Sequence, residues 1–398
     1  MSRDYVVIGG GIYGAYVAWE LAKRDEDVLL LEKRQLANEA SGGPGKRGVR
    51  ANGRDPRELP LMQTAYDIWP RLSDEIGESI GYERVGGLEL IERSVPELHA
   101  SSLQSAPAQV WLQRQYEISS KILSREEVIQ KEPHVSDAVQ GAIYCENDGV
   151  VDQTAVTRAV GAAAAREGAE IREGVAVAGL DVNEQQVTAV RTDDGETIEV
   201  GDTALLLSNS HAPEFLKREL DISLPVWNFL PQVLLTEPVE EMPISHLIGH
   251  SHRLLAMKGL PDDRLMITGG WPAEVTHGGD GVGRPIPEQV EQNFAQAEAV
   301  FPDISTLEID EIATDHLESC TLDSLPIIDQ YPAAKNLIVA TGWTGHGFAI
   351  SPAVSELLAQ WAAEHQRPSL LRPFSLQRFT GRRQGAPEPT EPTAESSV

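Results

Sequence analysis

The stretch Tyr5-Val6-Val7-Ile8-Gly9-Gly10-Gly11-Ile12-Tyr13-Gly14 decides the fold of this chain. Its apolar, β-branched start predicts a strand, its glycines predict a tight turn, and the apolar periodicity from Ala15 predicts a helix. Residues 28–31 repeat the strand pattern and end on Glu32. Strand, glycine turn, helix, strand and acid in this order form the β-α-β fingerprint of a dinucleotide site.

Each position of this fingerprint has a physical role. Gly9 permits a tight turn, Gly11 lets the backbone approach a pyrophosphate, and Gly14 lets the helix pack closely on the strand. The helix begins near Ile12 and Tyr13, and its first N–H groups and positive dipole end face the phosphates. These five residues are therefore predicted to bind the cofactor.

Glu32 closes the unit about 20 residues after the turn, where a carboxylate can accept hydrogen bonds from ribose hydroxyls. The same charge would repel a 2′-phosphate. An isolated glycine motif is often a turn without a ligand, but the flanking strand, helix and acid make that reading weak here. The fingerprint alone leaves NAD and FAD open.

Length and composition bound the remaining possibilities. A chain of 398 residues with 41% hydrophobic residues can form two domains with a large core. No apolar run approaches the ~18 residues of a membrane span, and residues 1–4 leave no room for a signal peptide, which predicts a cytoplasmic protein. Two cysteines, Cys145 and Cys320, indicate neither a disulfide framework nor a metal site.

The formal net charge of -28 excludes some partners. Such a surface repels phosphate, so neither nucleic acid nor an anionic membrane is an expected partner. Lysine is scarce among the 33 basic residues. An acidic, lysine-poor surface fits a high-salt cytoplasm, where screening removes the self-repulsion, so we hypothesise a halophilic protein.

The order of predicted elements indicates an α/β fold. A discontinuous Rossmann-like FAD- or NAD-binding domain is interrupted by an α+β substrate domain that is mainly an antiparallel β-sheet. The predicted nucleotide domain comprises residues 1–85, 141–215 and 320–380, the substrate domain residues 86–140 and 216–319, and the disordered tail residues 381–398.

Local patterns give further predictions. Residues 41–50 are rich in glycine and predict a loop, with three positive charges that indicate a solvated segment or an anion site. Residues 59–76 and 287–300 predict helices, and residues 170–177, 186–192 and 196–200 predict a β-meander.

A second glycine-rich loop, Thr341 to Phe348, follows a buried strand predicted over residues 336–340. Ser351 and Pro352 are a good N-cap and first-turn residue, so a helix is predicted to open there. Strand, glycine turn and helix N-terminus again describe a place where N–H groups can face an anion.

Taken together, these features resemble the D-amino-acid oxidase superfamily of FAD-dependent oxidoreductases, and most of all sarcosine oxidase, glycine oxidase and dimethylglycine dehydrogenase-type chains. The likeness is colinear and extends to about Trp361. The segments that carry it are residues 9–14, 32–33, 40–42, 86–90, 148–152, 168–177, 323–328, 342–348 and 351–352.

The resemblance implies FAD as the cofactor. Cys320 lies too close to Asp323 for the covalent flavin link of some family members, so the FAD is predicted to be bound noncovalently. Its ADP half would lie on the first glycine turn, its pyrophosphate near Ser41, its adenine against the backbone of Val177, and its flavin ring against the second glycine loop. The implied cofactor-binding residues are Gly9, Gly11, Ile12, Tyr13, Gly14, Glu32, Lys33, Ser41, Val177, Gly342, Gly345, His346, Gly347 and Phe348.

The resemblance also implies a substrate site beside the flavin. Arg47 and Arg50 take the places of flavin-side arginines, and Arg50 is the better candidate for a substrate carboxylate because a guanidinium binds it bidentately. His346 would orient flavin or substrate. The family lysine after the second loop is Ala349 here, and residues 265–270 contain no lysine to activate oxygen.

The implied reaction is oxidation of the C–N bond of an amino acid or N-methylated amino acid by hydride transfer, followed by hydrolysis of the imine. The missing lysine leaves a dehydrogenase at least as well supported as an oxidase, and the electron acceptor open. An NAD-dependent dehydrogenase and a non-catalytic flavoprotein subunit are the alternatives. A homo-oligomer and a complex subunit both stay open.

If the surface is adapted to salt, the free energy of unfolding will rise with ionic strength, because screening weakens repulsion among the acidic side chains. Denaturant unfolding at low and molar KCl measures this difference. Full retention of structure after dialysis into dilute buffer would contradict the halophile hypothesis.

Overall fold

The computed structural model describes residues 2–41, 45–92, 102–276 and 283–380. Within these ranges the helices are α1 (Ile12–Ala22), α2 (Leu59–Ile76), α3 (Ala106–Gln115), α4 (Arg125–Lys131), α5 (Gln153–Arg166), α6 (Ala212–Leu220), α7 (Pro287–Val300) and α8 (Gly347–Glu364).

The described strands fall into a first group that ends at the meander and a second group after it. The first group is β1 (Ser2–Ile8), β2 (Val28–Glu32), β3 (Lys46–Val49), β4 (Gly87–Ile91), β5 (Ser120–Ser124), β6 (Gly141–Cys145), β7 (Gly149–Asp152), β8 (Glu170–Glu173), β9 (Val177–Asn183), β10 (Gln186–Thr192) and β11 (Thr197–Leu206). The second is β12 (Val226–Phe229), β13 (Val233–Thr236), β14 (Leu247–His250), β15 (Ala256–Gly259), β16 (Leu265–Thr268), β17 (Glu274–Val275), β18 (Gly283–Arg284), β19 (Ile309–Ala313), β20 (Glu318–Thr321), β21 (Ile327–Tyr331) and β22 (Ala334–Thr341).

The first large sheet contains the opening glycine fingerprint. Its order is β21-β22-β11-β1-β2-β8, with β10 and β9 added beside β11. The run from β22 to β8 is parallel, whereas β21 and the β9–β10 hairpin are antiparallel. Parallel strands are covered on both faces, which explains why residues 28–31 are apolar without alternation. The predicted α/β class is confirmed.

Helix α1 lies at the centre of the core on one face of this sheet. All 11 of its residues are buried, so no polar face is needed. It packs between α5 and α8, and its side chains join a core that extends to Trp69 and Phe374. The opposite face of the sheet packs on α6 and the meander.

The second large sheet has the order β19-β13-β16-β15-β14-β4-β6-β5. Every pairing in it is antiparallel except that of β14 with β4, which confirms a mainly antiparallel sheet. One face carries Leu88, Met257 and Ile267 into a core with α7. Because side chains alternate along a strand, the residues between them face the other way, toward a cavity.

Three local predictions need correction. Residues 46–49 form β3, paired with β7, rather than loop, because ladder hydrogen bonds from β7 override the glycine signal. Helix α8 begins at Gly347, not at Ser351, and Pro352 lies inside it. The strand predicted over residues 170–177 ends at Glu173, and β9 begins a separate hairpin at Val177.

Other predicted elements agree with the structure. Residues 59–76 and 287–300 are helices α2 and α7 with these bounds. The division into two domains stays a prediction, and the predicted disordered tail lies outside the described residues. In the described part of the chain, no helix combines the length and apolar character needed to cross a membrane.

Trp69 provides a test of the core. Its indole N–H donates to the carbonyl of Ala349 at 2.8 Å, which joins α2 to α8. We expect Trp69→Ala to lower the free energy of unfolding by about 3–5 kcal/mol, because it leaves a large cavity. Chemical denaturation of the purified protein measures the loss.

Trp111 is the matched control, because its side chain is 63% exposed. Trp111→Ala should change the free energy of unfolding by less than about 0.5 kcal/mol. Equal losses from the two substitutions would contradict the packing described here.

Candidate active site

A continuous cavity of about 900 Å³ runs between the two large sheets. At one end it is lined by the first glycine turn, Glu32 and Val177. At the other end it reaches the second glycine loop and the inward face of β15 and β16. Its volume, and the presence of both glycine loops in its lining, suit an extended ligand with a smaller molecule beside it.

The parallel sheet explains why distant residues meet at this cavity. Gly9, Glu32, Asn209 and Gly342 follow or end β1, β2, β11 and β22. The carboxyl ends of parallel strands meet at one edge of a sheet, where ligands of open α/β folds bind. The topology therefore brings both glycine loops together, although they are more than 300 residues apart.

The first glycine turn is shaped for close packing. Gly9 has φ +111°, and a Cβ on Gly14 would lie 1.8 Å from the carbonyl oxygen of Gly9. In the part of the chain that the structure describes, a Cβ on Gly11 would meet no atom within 4 Å. Gly14 therefore serves the contact of helix and strand, whereas Gly11 keeps space open beside the N-terminus of α1, where phosphate can approach.

Glu32 lies beside this turn and is buried. Its carboxylate accepts hydrogen bonds from the backbone N–H of Gly10 at 2.6 Å and of Arg34 at 2.8 Å. These two bonds fix the position of the carboxylate at the cavity wall. The geometry agrees with the predicted ribose contact, which remains a prediction.

The other predicted nucleotide contacts line the same end of the cavity. The ammonium of Lys33 forms an ion pair with Glu39 at 2.5 Å. The hydroxyl of Ser41 donates to the carbonyl of Leu317 at 2.7 Å. Val177 begins β9 at the cavity rim.

Tyr13 connects the first turn to the second. Its ring stacks on Trp343 with 3.9 Å between centroids and 7° between planes. Its hydroxyl donates to the carbonyl of Gly347 at 2.6 Å. Burial raises the pKa of this hydroxyl well above its usual value, so Tyr13 remains a neutral donor.

The second loop leads directly into α8. Gly342 and Gly345 have φ of +76° and +73°, which favours glycine at both positions. Because α8 begins at Gly347, its N-terminal N–H groups are at the cavity, nearer than a helix that opens at Ser351 would place them. Phe348 also lines the cavity.

His346 lies in this loop at the cavity wall. Burial, together with the charges of Arg50 and Arg54, lowers the pKa of its imidazole to about 3. Its carbonyl accepts a hydrogen bond from the guanidinium of Arg54 at 2.8 Å. His346 is therefore neutral near pH 7, which favours an orienting role over that of a proton donor.

Arg47 and Arg50 line the cavity on the side of β3. Burial lowers the pKa of the Arg47 guanidinium to about 10, which leaves it charged at neutral pH. The guanidinium of Arg50 donates to the carbonyl of Asn52 and lies beside Gly53. Both predicted arginines therefore line the cavity, and the charge of Arg50 acts on His346.

Sequence reasoning assigned no role to several cavity residues. Glu89 was part of the family likeness, and the alternation of Gly87 to Ile91 already predicts that its side chain faces away from the leucines. Lys258 and Glu318 carry no comparable pattern. The polar residues missed are Arg54, Glu89, Gln153, Asn209, Lys258, Thr268 and Glu318.

Asn209 holds the middle of the site together. Its amide donates to the hydroxyl of Ser41 at 3.2 Å and to Glu318 at 3.3 Å, and its side-chain oxygen accepts from the N–H of Gly342 at 3.2 Å. Burial raises the pKa of the Glu318 carboxyl to about 7. Through these hydrogen bonds, Asn209 fixes the second glycine loop against Ser41, in the segment after β2.

The residues present fit a dinucleotide that carries a reactive ring. The open space at Gly11 suits a pyrophosphate. Gln153 is buried and lines the cavity, and its amide atoms make no hydrogen bond within the described part of the chain. An orphaned buried amide at a cavity wall indicates a polar ligand. Within the same part of the chain, no cluster of three or more metal-ligating side chains is present.

Substitutions at Gly14 and Gly11 are expected to have opposite effects on stability and on cofactor binding. Gly14→Ala should lower the free energy of unfolding of the cofactor-free protein by about 1–3 kcal/mol, because its Cβ would overlap the Gly9 carbonyl. Gly11→Ala, the matched control, should change it by less than about 0.5 kcal/mol and yet retain much less dinucleotide. Denaturant melts of cofactor-free protein, with cofactor content after gel filtration, measure both; equal stability losses would contradict this assignment.

Comparison with known proteins identifies the family of the chain. The model of the FAD-dependent oxidoreductase family, abbreviated DAO, matches residues 4–361. Sarcosine oxidase subunit beta from Arthrobacter sp. is 27% identical, with 95% of this chain and 91% of that protein covered. Glycine oxidase from Geobacillus kaustophilus is 25% identical, with 95% and 98% covered.

A solved structure shows the same fold. L-proline dehydrogenase from P. horikoshii superimposes with a TM-score of 0.84 at 22% identity, covering 95% of this chain and 98% of that one. The family match decides between NAD and FAD in favour of FAD. The chain belongs to the DAO family of FAD-dependent oxidoreductases.

Proposed function

We propose that the protein oxidises the C–N bond of an amino acid or N-methylated amino acid, with noncovalently bound FAD. The observation that carries this proposal is that the second glycine loop and the guanidinium groups of Arg47 and Arg50 line the same cavity. A carboxylate bound by those cations would lie beside the loop, where the flavin ring is expected. The names of the matched relatives, sarcosine oxidase and glycine oxidase, support an amino-acid substrate.

Arg50 is the proposed main ligand of the substrate carboxylate. Its hydrogen bond to the Asn52 carbonyl restrains one end of the guanidinium. The carbonyl of Arg50 itself accepts from the Nε of Arg54 at 2.6 Å. Arg54 is in turn paired with buried Glu58 at 3.3 Å. A restrained guanidinium loses little entropy on binding and favours a planar carboxylate.

Neutral groups at the reacting end favour a neutral substrate amine. His346, with its lowered pKa, adds no positive charge beside the amine. When bound, FAD supplies the acceptor for the hydride equivalent that leaves the substrate carbon. The N-terminus of α8, at Gly347, faces the same place and favours negative charge on the bound ring system.

Cys320 supports noncovalent attachment. Its thiol lines the cavity, but burial raises its pKa to about 11. The thiolate is the nucleophilic form, and it is a minor species at neutral pH when the pKa is raised. Release of yellow cofactor on acid precipitation would support this part of the proposal.

The test of the proposed function is anaerobic reduction of the bound flavin. Sarcosine, glycine, dimethylglycine, proline and D-amino acids are mixed in turn with the FAD-loaded protein, and absorbance is followed. Bleaching by at least one amino acid is expected. Bleaching by none, together with copurification of another polypeptide, would favour a non-catalytic subunit instead.

The same preparation addresses the electron acceptor. We propose a dehydrogenase, because the strand β16 carries no lysine. Peroxide should then form much more slowly than substrate reduces the flavin. Peroxide formation at the rate of flavin reduction would contradict this part of the proposal.

Arg50→Met should raise KM for an accepted amino acid by about 10- to 100-fold, because it removes a charge-assisted hydrogen bond worth about 1.5–3 kcal/mol. Arg57→Met is the matched control, because Arg57 is exposed and pairs with Asp55 at 2.8 Å. Steady-state kinetics with an artificial acceptor measures both. An unchanged KM for Arg50→Met with every accepted amino acid would exclude the carboxylate role.

A further inference from the structure

Lys258 is a buried cation on the wall of the cavity. It lies in β15 and is 7% exposed. In the described ranges no acceptor takes a hydrogen bond or ion pair from its ammonium. Burial of an ammonium without a partner costs several kcal/mol in an apolar interior, so its retention indicates a ligand that supplies the missing charge.

The register of the sheet shows that Lys258 faces the site. Met257 and Ile267 point into the core with α7, and side chains alternate along each strand. Lys258 and its cross-strand neighbour Met266 therefore lie on the opposite face, and both line the cavity. The next pair on that face, Ala256 and Thr268, also lines the cavity.

The surrounding charges show which kind of ligand fits. Burial, together with the charges of Arg47 in β3 and Arg50 just after it, lowers the pKa of the Lys258 ammonium to about 7. Three cations that face one cavity repel one another unless an anion lies between them. A carboxylate is the anion that an amino-acid substrate would bring.

Glu89 lies on the same face of the sheet as Lys258, and the small residues Gly249 and Ala256 lie between them. It pairs with Gly249 in register, and Gly249 pairs with Ala256. A Cβ on Gly249 would lie 2.6 Å from the Glu89 carboxylate, so that carboxylate lies over β14. Strand spacing places the Cα atoms of Glu89 and Lys258 about 12 Å apart. Gly249 and Ala256 leave the space between them open.

We propose that Lys258 is a second substrate-binding cation, which holds the substrate carboxylate together with Arg50 and directs the substrate amine toward Glu89. The proposal rests on the proposed function and deepens it by assigning the carboxylate contact from the antiparallel sheet. It predicts that the protein selects amino compounds that carry a carboxylate over simple amines.

The test uses a ligand that binds but is not oxidised. Methoxyacetate resembles N-methylglycine with oxygen in place of the amine, and methoxyacetamide is its neutral counterpart. Both are titrated into the FAD-loaded protein at constant ionic strength, and perturbation of the flavin absorbance gives Kd. At pH 6, Lys258→Met should raise the Kd of methoxyacetate by about 10-fold or more and leave the Kd of methoxyacetamide unchanged.

The pH profile separates charge from structure. In the wild type, affinity for methoxyacetate should fall from pH 6 to pH 8.5 as the ammonium loses its proton. Lys258→Arg should keep the affinity within about threefold and abolish that fall, because a guanidinium stays charged. The neighbouring charged groups on the cavity wall are Arg47, Arg50, Glu89, His250, Glu318 and His346. A fall of the same size in Lys258→Arg would overturn the inference, because it would assign the pH dependence to another group such as Glu318, whose pKa is raised to about 7.

Lys335→Met, at an exposed lysine in β22, is the matched control and should leave both ligands unaffected. Unchanged affinity of Lys258→Met for methoxyacetate would overturn the inference. This includes the case in which the substitution slows only the reoxidation of the flavin. Weakened methoxyacetamide binding would also overturn it, since it would indicate a collapsed site. If an amino acid still reduces the wild-type flavin in these cases, the proposed function stands without this inference.

Discussion

The stack of Tyr13 on Trp343, with the hydroxyl of Tyr13 bonded to the Gly347 carbonyl, is the contact on which the site depends. It joins the first turn of α1 to the first turn of α8. Each of these helices begins at the carboxyl edge of the parallel sheet, so the contact places two positive helix ends at one cavity. A dinucleotide and its reactive ring need both ends.

Charge is distributed unevenly between the surface and this cavity. The chain as a whole carries a net charge of -28, and yet three basic residues, Arg47, Arg50 and Lys258, line one internal cavity. The carboxyl groups nearby, Glu89 and Glu318, have pKa values raised by burial, which disfavours their charged forms. A site with excess positive charge inside an acidic protein attracts an anionic substrate group that the surface would otherwise repel.

Much of the fold could be predicted from local patterns. The apolar run at residues 28–31, the helix at residues 59–76 and the alternating hairpins follow from hydrophobic periodicity, which each segment contains within itself. Predictions were wrong where contacts with segments distant in the sequence decide the secondary structure. Residues 46–49 become a strand because β7 lies beside them, and α8 starts at Gly347 because the turn before it is anchored to Asn209.

The site divides in the same way. The glycine spacing and Glu32 could be recognised from sequence because a phosphate-binding turn is a local structure with strict steric demands at Gly9 and Gly14. Lys258 could not be recognised, because a single lysine between apolar residues has no local signature. Its significance comes from the face of β15 on which it lies and from its nearness to Arg47 and Arg50.

By itself, the sequence determined that this chain binds a dinucleotide on a parallel sheet, since strand, turn and helix are encoded in adjacent residues. Only the tertiary structure decided which charged side chains share a cavity with that dinucleotide. Those side chains come from strands of two sheets, and their distances depend on how the sheets pack rather than on their spacing along the chain.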